Sequence, residues 1–254
     1  MTAVALRQES SAMPTTMSPT EFLSACTVDP AVLELRPDYR VMLVVIDGLT
    51  PASGSQTTSA ADELIAAAEA HAQDLLAESP AAELPHIAAW REAYRAFGAK
   101  PQRTRNSLEA LTRRAERGLP RVNTLTDIYN AISVLHQIPL GGEDLHRYRG
   151  PARLVRATGA EPFDTTANGE PVIEHPEPGE VVWCDGAGVT CRRWNWRQGR
   201  RTGLSEQTRA ALFILDALAP VGDEQLTAAA DALVGACSGL GAEVSASTRL
   251  ISAP

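Results

Sequence analysis

Aromatic side chains are scarce in this 254-residue chain: they make up 5% of it, and two of the four tryptophans fall in one short segment. No apolar run approaches the roughly 20 residues that a membrane-spanning helix needs. The N-terminus is polar and lacks a basic start followed by a long apolar run, which argues against a secretory signal. We therefore expect a cytoplasmic protein that does not contact a membrane, with residues 1–18 as a disordered leader.

Metal-binding and nucleophile motifs are also missing from the sequence. The four cysteines show no CxxC spacing, and the five histidines are scattered without the spacing of metal ligands. The sequence contains no Ser-His-Asp pattern, nucleophile elbow or phosphate-binding loop. These features predict reduced thiols, no metal and no cofactor.

Charge is unevenly distributed along the chain. The net charge is −8, but residues 91–121 hold nine basic and three acidic side chains, and residues 192–209 hold six arginines against one glutamate. Two basic blocks on an acidic chain predict one positive face for an anionic partner. The alternative for residues 105–117 is an ordinary solvated helix, since Glu109 and Arg113 form an i,i+4 pair.

Hydrophobic periodicity predicts an α+β fold, with N-terminal helices packed on a mostly antiparallel sheet and a closing helix and strand. Residues 41–47 and 211–218 are typical of buried strands. The predicted helices share apolar side chains at helical spacing and span residues 59–78, 84–97, 105–117, 124–137 and 223–238. We expect one domain over residues 19–254; the oligomeric state is not predicted.

Two polar side chains interrupt apolar patterns and are candidates for a pocket. Asp216 lies within the run LFILDAL, where an ionised carboxylate is unfavourable unless a partner or ligand satisfies it. Asn130 interrupts the apolar side of the helix at residues 124–137. The alternatives are that Asp216 faces water and that Asn130 makes a structural hydrogen bond.

The central half of the chain resembles a known family. The segment Asn123–Asn130, NTLTDIYN, followed by IPLGGEDL and GEVVWCDGAGVTCRRWNWRQG, is similar to the editing domain of the bacterial phenylalanyl-tRNA synthetase β subunit, often called the B-three/B-four domain. The resemblance implies a free-standing deacylase that hydrolyses the ester of mischarged tRNA. Its partner would be the aminoacylated 3′ end of tRNA. No catalytic synthetase module is present.

The resemblance also implies roles for individual residues. Asn130 matches a pocket asparagine on the family's helix, and Asp216 matches a strand glutamate that reads the side chain of the wrong amino acid. Gly141 stands where the family has a histidine. Because two glycines let the backbone approach a ligand, the amides of Gly141 and Gly142 are candidate donors to the developing oxyanion.

The segment CRRWNWRQGR is the candidate RNA-facing surface. If it is a strand, Trp194 and Trp196 face one side and Asn195 the other. We expect Trp196 and Asn195 to contact substrate, with an indole ring stacking on a terminal base; the alternative is that both tryptophans are core residues. The predicted RNA-binding side chains are basic and lie in the two blocks: Lys100, Arg103, Arg105, Arg192, Arg193, Arg197 and Arg200.

Two other functions remain open from the sequence. A non-catalytic tRNA- or RNA-binding module would keep the basic surface without turnover, and its binding would be salt-dependent. A pocket protein that binds a free amino acid through Asp216 would need no tRNA.

Overall fold

The computed structural model describes residues 17–50 and 55–253, so nearly all of the expected leader lies outside the described part of the chain. The described residues contain seven α-helices and eleven strands, which confirms the α+β prediction. The helices are α1 Pro19–Ala25, α2 Pro30–Leu35, α3 Ser55–Glu78, α4 Pro85–Ala96, α5 Ser107–Arg114, α6 Thr124–His136 and α7 Asp223–Cys237. The strands are β1 Thr27–Val28, β2 Arg40–Asp47, β3 Leu140–Asp144, β4 Arg153–Arg156, β5 Phe163–Ala167, β6 Glu170–Glu174, β7 Val181–Asp185, β8 Gly188–Arg192, β9 Arg197–Gln198, β10 Ala210–Ala217 and β11 Ser245–Ser252.

The strands form two sheets rather than the single sheet expected from the sequence. The four-stranded sheet has the order β11-β2-β10-β3 and is antiparallel throughout. The other sheet has the order β1-β4-β7-β8-β5-β6, with β9 paired to β8. It is mostly antiparallel, and β1–β4 and β5–β8 are its parallel pairs.

The four-stranded sheet is buried on both faces because β2 and β10 are almost continuously apolar. On one face, side chains such as Val44 and Phe213 pack with α6 and α7. On the other, Leu43 and Leu212 pack with Trp90 of α4 and with residues of β7 and β8. The candidate site lies on this second face.

Helix α6 is positioned by its ends. The side chain of Asn123 accepts a hydrogen bond from the amide of Thr126, which caps the N-terminus. Gln137 ends the helix in the left-handed conformation, with φ of 54°. The helix therefore holds Asn130 on its inner side, where this residue is buried.

Two segments differ from the sequence predictions in a way that shapes the site. No strand was predicted for residues 140–144, but they form β3, because their backbone pairs with β10. Residues 193–196 were expected to continue a strand but form a turn. The change occurs at Arg193 and Trp194, whose φ angles of 48° and 67° are left-handed and incompatible with a strand.

Candidate functional site

A cavity of about 290 Å³ opens between the four-stranded sheet, the N-terminal end of α5, helix α6 and the 193–196 turn. It brings together Asn130, Gly141, Trp196 and Asp216, which are far apart in sequence. Its lining residues are Ser107, Ala110, Leu111, Pro120, Tyr129, Asn130, Leu140, Gly141, Glu143, Trp183, Cys191, Trp194, Asn195, Trp196, Arg197, Gln198, Ile214 and Asp216. A concave space with apolar walls and a few convergent polar groups is typical of a small-ligand site.

Asn130 reaches the cavity from α6. Its side chain is buried, and it makes no hydrogen bond with any other described residue of the chain. The described part of the protein therefore contains no partner for the structural hydrogen bond that was the alternative role of Asn130. The amide of Asn130 is left with two donors and an acceptor for a ligand.

Asp216 lines the cavity from β10 and does not face bulk water. The hydroxyl of Tyr39 donates to Oδ1 at 2.6 Å, and Nδ2 of Asn195 approaches Oδ2 at 3.4 Å. Tyr94 in turn donates to Oδ1 of Asn195 at 2.9 Å, which fixes the orientation of its amide. Burial raises the pKa of Asp216 to about 7, although the hydrogen bonds from Tyr39 and Asn195 favour the ionised form.

Glu143 is a second buried acid in the cavity, and the sequence prediction missed it. The residue is 0% exposed, and the hydroxyl of Tyr148 donates to its Oε2. Burial raises its pKa to about 7, against the lowering effect of the hydroxyls of Tyr148 and Thr190. Its Oε1 has no partner in hydrogen-bonding geometry. If residues 140–144 are treated as a strand, Gly141 and Glu143 fall on the same face of the sheet, and this placement is the sequence signal that could have identified Glu143.

Gly141 lines the cavity, but its amide is not available to a ligand. It lies opposite Ile214 in the β3–β10 ladder. The amide of Asp216 donates to the carbonyl oxygen of Pro139 at 3.0 Å, so the alternation of an antiparallel ladder makes Gly141 and Ile214 a hydrogen-bonded pair. The amide of Gly141 is thus committed to the sheet, which corrects its expected role as an oxyanion donor. A Cβ here would lie 2.7 Å from Nε2 of Gln198.

Gly142 is not among the residues that line the cavity, which corrects its expected catalytic placement. A Cβ at Gly142 would meet the ring of Phe213 at 2.8 Å, on the opposite face of the sheet. Its carbonyl oxygen accepts a hydrogen bond from Nε2 of Gln198 at 3.0 Å. Gly142 therefore helps to hold Gln198, which does line the cavity.

The two tryptophans of the arginine-rich segment have different surroundings, which corrects the expected strand alternation. Trp194 is 0% exposed and packs edge-to-face against Tyr39 and Trp90, with ring centroids 4.9 and 5.3 Å away. Trp196 is half-buried, and the guanidinium of Arg193 lies 4.4 Å from its ring centroid. Both rings line the cavity, Trp194 as part of the core and Trp196 nearer to solvent.

The arginines of residues 192–201 have acidic partners from distant strands, contrary to the expectation from their sequence neighbours. Arg192 is 6% exposed and donates through Nε and Nη2 to both carboxylate oxygens of Glu180, and through Nη1 to Glu174. Enclosed in this way, Arg192 stabilises the fold and is not accessible to RNA. The other ion pairs are Arg193–Glu180, Arg197–Glu174, Arg200–Asp164 and Arg201–Asp185.

The two basic blocks meet in the fold. The guanidinium of Arg193 donates to the hydroxyl of Thr104, and the amide of Ser107 donates to the carbonyl oxygen of Asn195 at 2.9 Å. The connection between α4 and α5 is therefore packed against the 193–196 turn, beside the cavity. The basic side chains predicted on this connection are all exposed: Lys100, Arg103 and Arg105.

The described ranges, 17–50 and 55–253, offer neither a cluster of metal ligands nor a membrane-spanning helix. Within them, no group of three or more His, Cys, Asp and Glu side chains is placed to hold a metal ion. No helix in this part of the chain has the length and apolar character needed to cross a membrane. The four cysteines are free and buried.

Comparisons with known proteins identify the family. The sequence profile of the B3/4 domain matches residues 89–237, which contain α5, α6, every strand of the seven-stranded sheet except β1, and the cavity residues. A search of curated proteins by sequence finds no match. By structure, the chain is similar to an N-terminal fragment of the phenylalanyl-tRNA synthetase β subunit from Pyrococcus horikoshii, at 11% identity and a TM-score of 0.43. The match covers 87% of this chain and 50% of that fragment, so this chain spans about half its length.

Proposed function

The chain belongs to the B3/4-domain family, and on this premise we propose that it is a trans-acting deacylase of mischarged tRNA. The observation that carries the proposal is the convergence of Asn130, Trp196 and Asp216 on one cavity beside an exposed basic segment. A cavity of about 290 Å³ is at the small end of the range for ligand pockets, which suits an amino acid and the edge of a ribose.

In this proposal the 3′ end of tRNA approaches over the connection between α4 and α5. Lys100, Arg103 and Arg105 contact phosphates, because they are exposed cations on the segment that packs against the cavity. Arg193, Arg197 and Arg200 each have a carboxylate partner, and Arg105 also has one, with its Nε 3.8 Å from Oε1 of Glu109. In this proposal, Arg193, Arg197 and Arg200 border the path that the 3′ end of tRNA takes to the cavity, and they contribute less than Lys100 and Arg103 to neutralising phosphates.

The acyl group enters between Trp196 and Asp216. Asp216 contacts the acyl group, and Asn195 keeps the carboxyl group of Asp216 in place through its Nδ2. Trp196 provides a flat apolar surface at the solvent side of the cavity, where a terminal base can stack. The roles expected for Trp196 and Asn195 are thus retained, with geometry supplied by a turn instead of a strand.

Hydrolysis forms a bond between a water oxygen and the acyl carbon and breaks the bond to the ribose oxygen, which takes up a proton from the water. An aminoacyl ester is already activated, so polarising its carbonyl and positioning water is sufficient chemistry. We assign the polarising hydrogen bond to Nδ2 of Asn130, because this donor has no protein partner in the described part of the chain. The carboxyl group of Asp216, with a pKa of about 7, is suited to transferring the proton from the attacking water to the ribose oxygen at neutral pH.

A binding-only module is the second candidate, and two observations favour it. The amide of Gly141 is held in the sheet, and the described residues that line the cavity include no histidine. Such a protein would bind tRNA with a strong dependence on salt and would leave the ester intact.

The experiment that separates these functions is a deacylation panel. Purified protein is incubated with tRNAs carrying cognate and mismatched amino acids, including aromatic and small polar ones, and ester loss is followed with time. The deacylase proposal predicts that some mismatched pairs decay faster with protein than without, while their cognate pairs are spared. Binding without faster decay of any pair would replace it with the binding-only module.

A further inference from the structure

Glu143 is the acid among the described cavity groups that the protein leaves incompletely satisfied; the indole N–H groups of Trp183 and Trp194 are also buried there without a partner in the described residues. The residue is 0% exposed, lines the cavity, and has an Oε1 atom without a hydrogen-bond partner. A buried carboxylate oxygen that lacks a partner is energetically unfavourable, so it marks a position where a ligand group is missing.

We propose that Glu143 binds the protonated α-amino group of the substrate, so that the protein selects acyl groups with a free amine. This inference rests on the proposed function for the identity of the ligand. The geometric basis is the free Oε1, together with the position of Glu143 on the sheet face that also presents Gly141 and Asp216.

The register explains how an ammonium group reaches Glu143. Opposite residues of an antiparallel pair share a face, so Glu143 with Leu212 and Gly141 with Ile214 point to the same side as Asp216. Gly141 stands between Glu143 and the Asp216 end of the strand pair and has no side chain. The side-chain amide of Gln198 lies over Gly141, with Nε2 2.7 Å from the position of a Cβ, so this flexible side chain has to move aside for an ammonium group to pass from the Asp216 side to Glu143.

The charged groups around Glu143 favour a cation over an anion. Arg201, a positive charge that acts on the Glu143 carboxyl, is already paired with Asp185 at 2.7 Å. Three tryptophans line the cavity, and aromatic faces together with a desolvated carboxylate are suited to binding an ammonium group. Among the described residues that line the cavity, Arg197 is the one arginine, and it donates to the carbonyl oxygen of Thr166 and pairs with Glu174.

Asp216 is the other acid in the cavity and is less available for this role. Both of its carboxylate oxygens have protein donors, Tyr39 on Oδ1 and Asn195 on Oδ2. On Glu143, Tyr148 donates to Oε2, and the nearby hydroxyl of Thr190 acts on the carboxyl group without reaching hydrogen-bonding geometry at Oε1. The two acids thus bind different parts of the ligand: Glu143 binds the amine, and Asp216 contacts the remainder of the acyl group.

The test measures binding without hydrolysis. The probes are adenosine 3′-amides of L-alanine, L-serine and L-tyrosine, each compared with its N-acetyl form, which lacks the ammonium group. Tryptophan fluorescence reports binding, because three of the four tryptophans of the protein line the cavity. We expect wild-type protein to bind at least one free amine about tenfold more tightly than its N-acetyl form, as for a charge-assisted hydrogen bond.

Variants assign the preference to one residue. Glu143→Gln should reduce the amine preference to about threefold or less, while Glu116→Gln, at an exposed position outside the cavity, should leave it unchanged. Circular dichroism checks the fold of each variant. If Glu143→Gln does not fold, Glu143→Asp keeps the charge with a shorter side chain and should retain part of the preference.

Each outcome has one meaning. Equal binding of amine and N-acetyl probes by wild-type protein, an undiminished preference in folded Glu143→Gln, or no binding of any probe would overturn the role of Glu143. Amine-selective binding that depends on Glu143, combined with no ester loss in the deacylation panel, would keep the inference and overturn the deacylase proposal.

Discussion

Asn195 lies with Nδ2 3.4 Å from Oδ2 of Asp216, although one residue belongs to a turn after β8 and the other to β10. This contact exists because the chain reverses at Arg193 and Trp194, where left-handed φ angles direct Asn195 inward. The same reversal buries Trp194 and leaves Trp196 at the solvent side of the cavity. The turn is therefore the element that builds the site wall opposite the four-stranded sheet.

Replacing Asn130 tests the assignment of the polarising hydrogen bond. Asn130→Ala removes a donor that has no protein partner in the described residues, so deacylation should slow about a hundredfold with little change in thermal stability. Asn123→Ala, on the same helix, is the matched control. It removes an N-cap and should lower the free energy of unfolding by about 1 kcal/mol while the rate of deacylation is retained. Equal rate losses in both variants would indicate a structural role for Asn130.

The two adjacent glycines of β3 should respond differently to the same substitution. In Gly141→Ala the new Cβ falls 2.7 Å from Nε2 of Gln198, a flexible side chain that can move into the cavity. We expect about tenfold slower deacylation of the larger acyl groups and a change of less than about 1 kcal/mol in the free energy of unfolding. Kinetics with small and large acyl groups measure this.

Gly142→Ala is the matched comparison. Its Cβ meets the ring of Phe213 at 2.8 Å and Leu204 at 2.9 Å, within the packed face of the sheet. We expect a loss of about 1–3 kcal/mol in the free energy of unfolding, measured by denaturant titration, with acyl-size selectivity preserved. If Gly142→Ala changed selectivity as much as Gly141→Ala, the cavity would not end at Gly141.

The basic residues separate into structural and surface groups. Arg192→Ala leaves the buried Glu180 without its bidentate partner, so we expect a loss of about 3–5 kcal/mol in the free energy of unfolding.

Lys100→Ala and Arg103→Ala should keep wild-type stability and weaken tRNA binding. Each should reduce the slope of log Kd against log salt by about 0.7–0.9 if its side chain contacts a phosphate. An unchanged slope in both surface variants would place the RNA elsewhere.

The stability of the protein should depend on the ionisation of Asp216. Burial raises the pKa of this carboxyl from 3.8 to about 7 in the folded protein. The folded state thus holds the proton more tightly than the unfolded chain, so this stabilisation is complete below about pH 4 and is lost as the pH rises through about 7. The free energy of unfolding should fall by about 2–3 kcal/mol between pH 5 and pH 8 from this group.

Asp216→Asn should remove that part of the pH dependence. Glu143 is raised to a pKa of about 7 by burial and acts in the same direction, so the variant should retain a smaller decline over the same range. Urea unfolding at pH 5, 6, 7 and 8 measures both proteins. A constant difference between wild type and variant across these pH values would show that Asp216 does not titrate in this range.

The sequence predicted the elements with strong periodicity and missed those that depend on distant partners. The strand at residues 41–47 and the helix containing Asn130 were predicted correctly because local apolar spacing determines them. Residues 140–144 contain two glycines and two acids, so their strand conformation arises from pairing with β10 and has no local signal. The short elements at residues 19–35 were not predicted.

The candidate site followed the same rule. Asp216 and Asn130 were found because each interrupts an apolar pattern, and the structure places both in one cavity. Glu143 was missed because its burial depends on the pairing of β3. The ion pairs of Arg192 could not be anticipated, since Glu174 and Glu180 come from strand β6 and the connection to β7.

The most direct test of the central claim is the rate at which purified protein releases amino acid from matched pairs of mischarged and correctly charged tRNA. The account predicts accelerated ester loss for at least one mischarged species, sparing of its cognate, and about a hundredfold reduction in the Asn130→Ala variant. No acceleration for any member of a panel covering aromatic, small polar and aliphatic amino acids would contradict it.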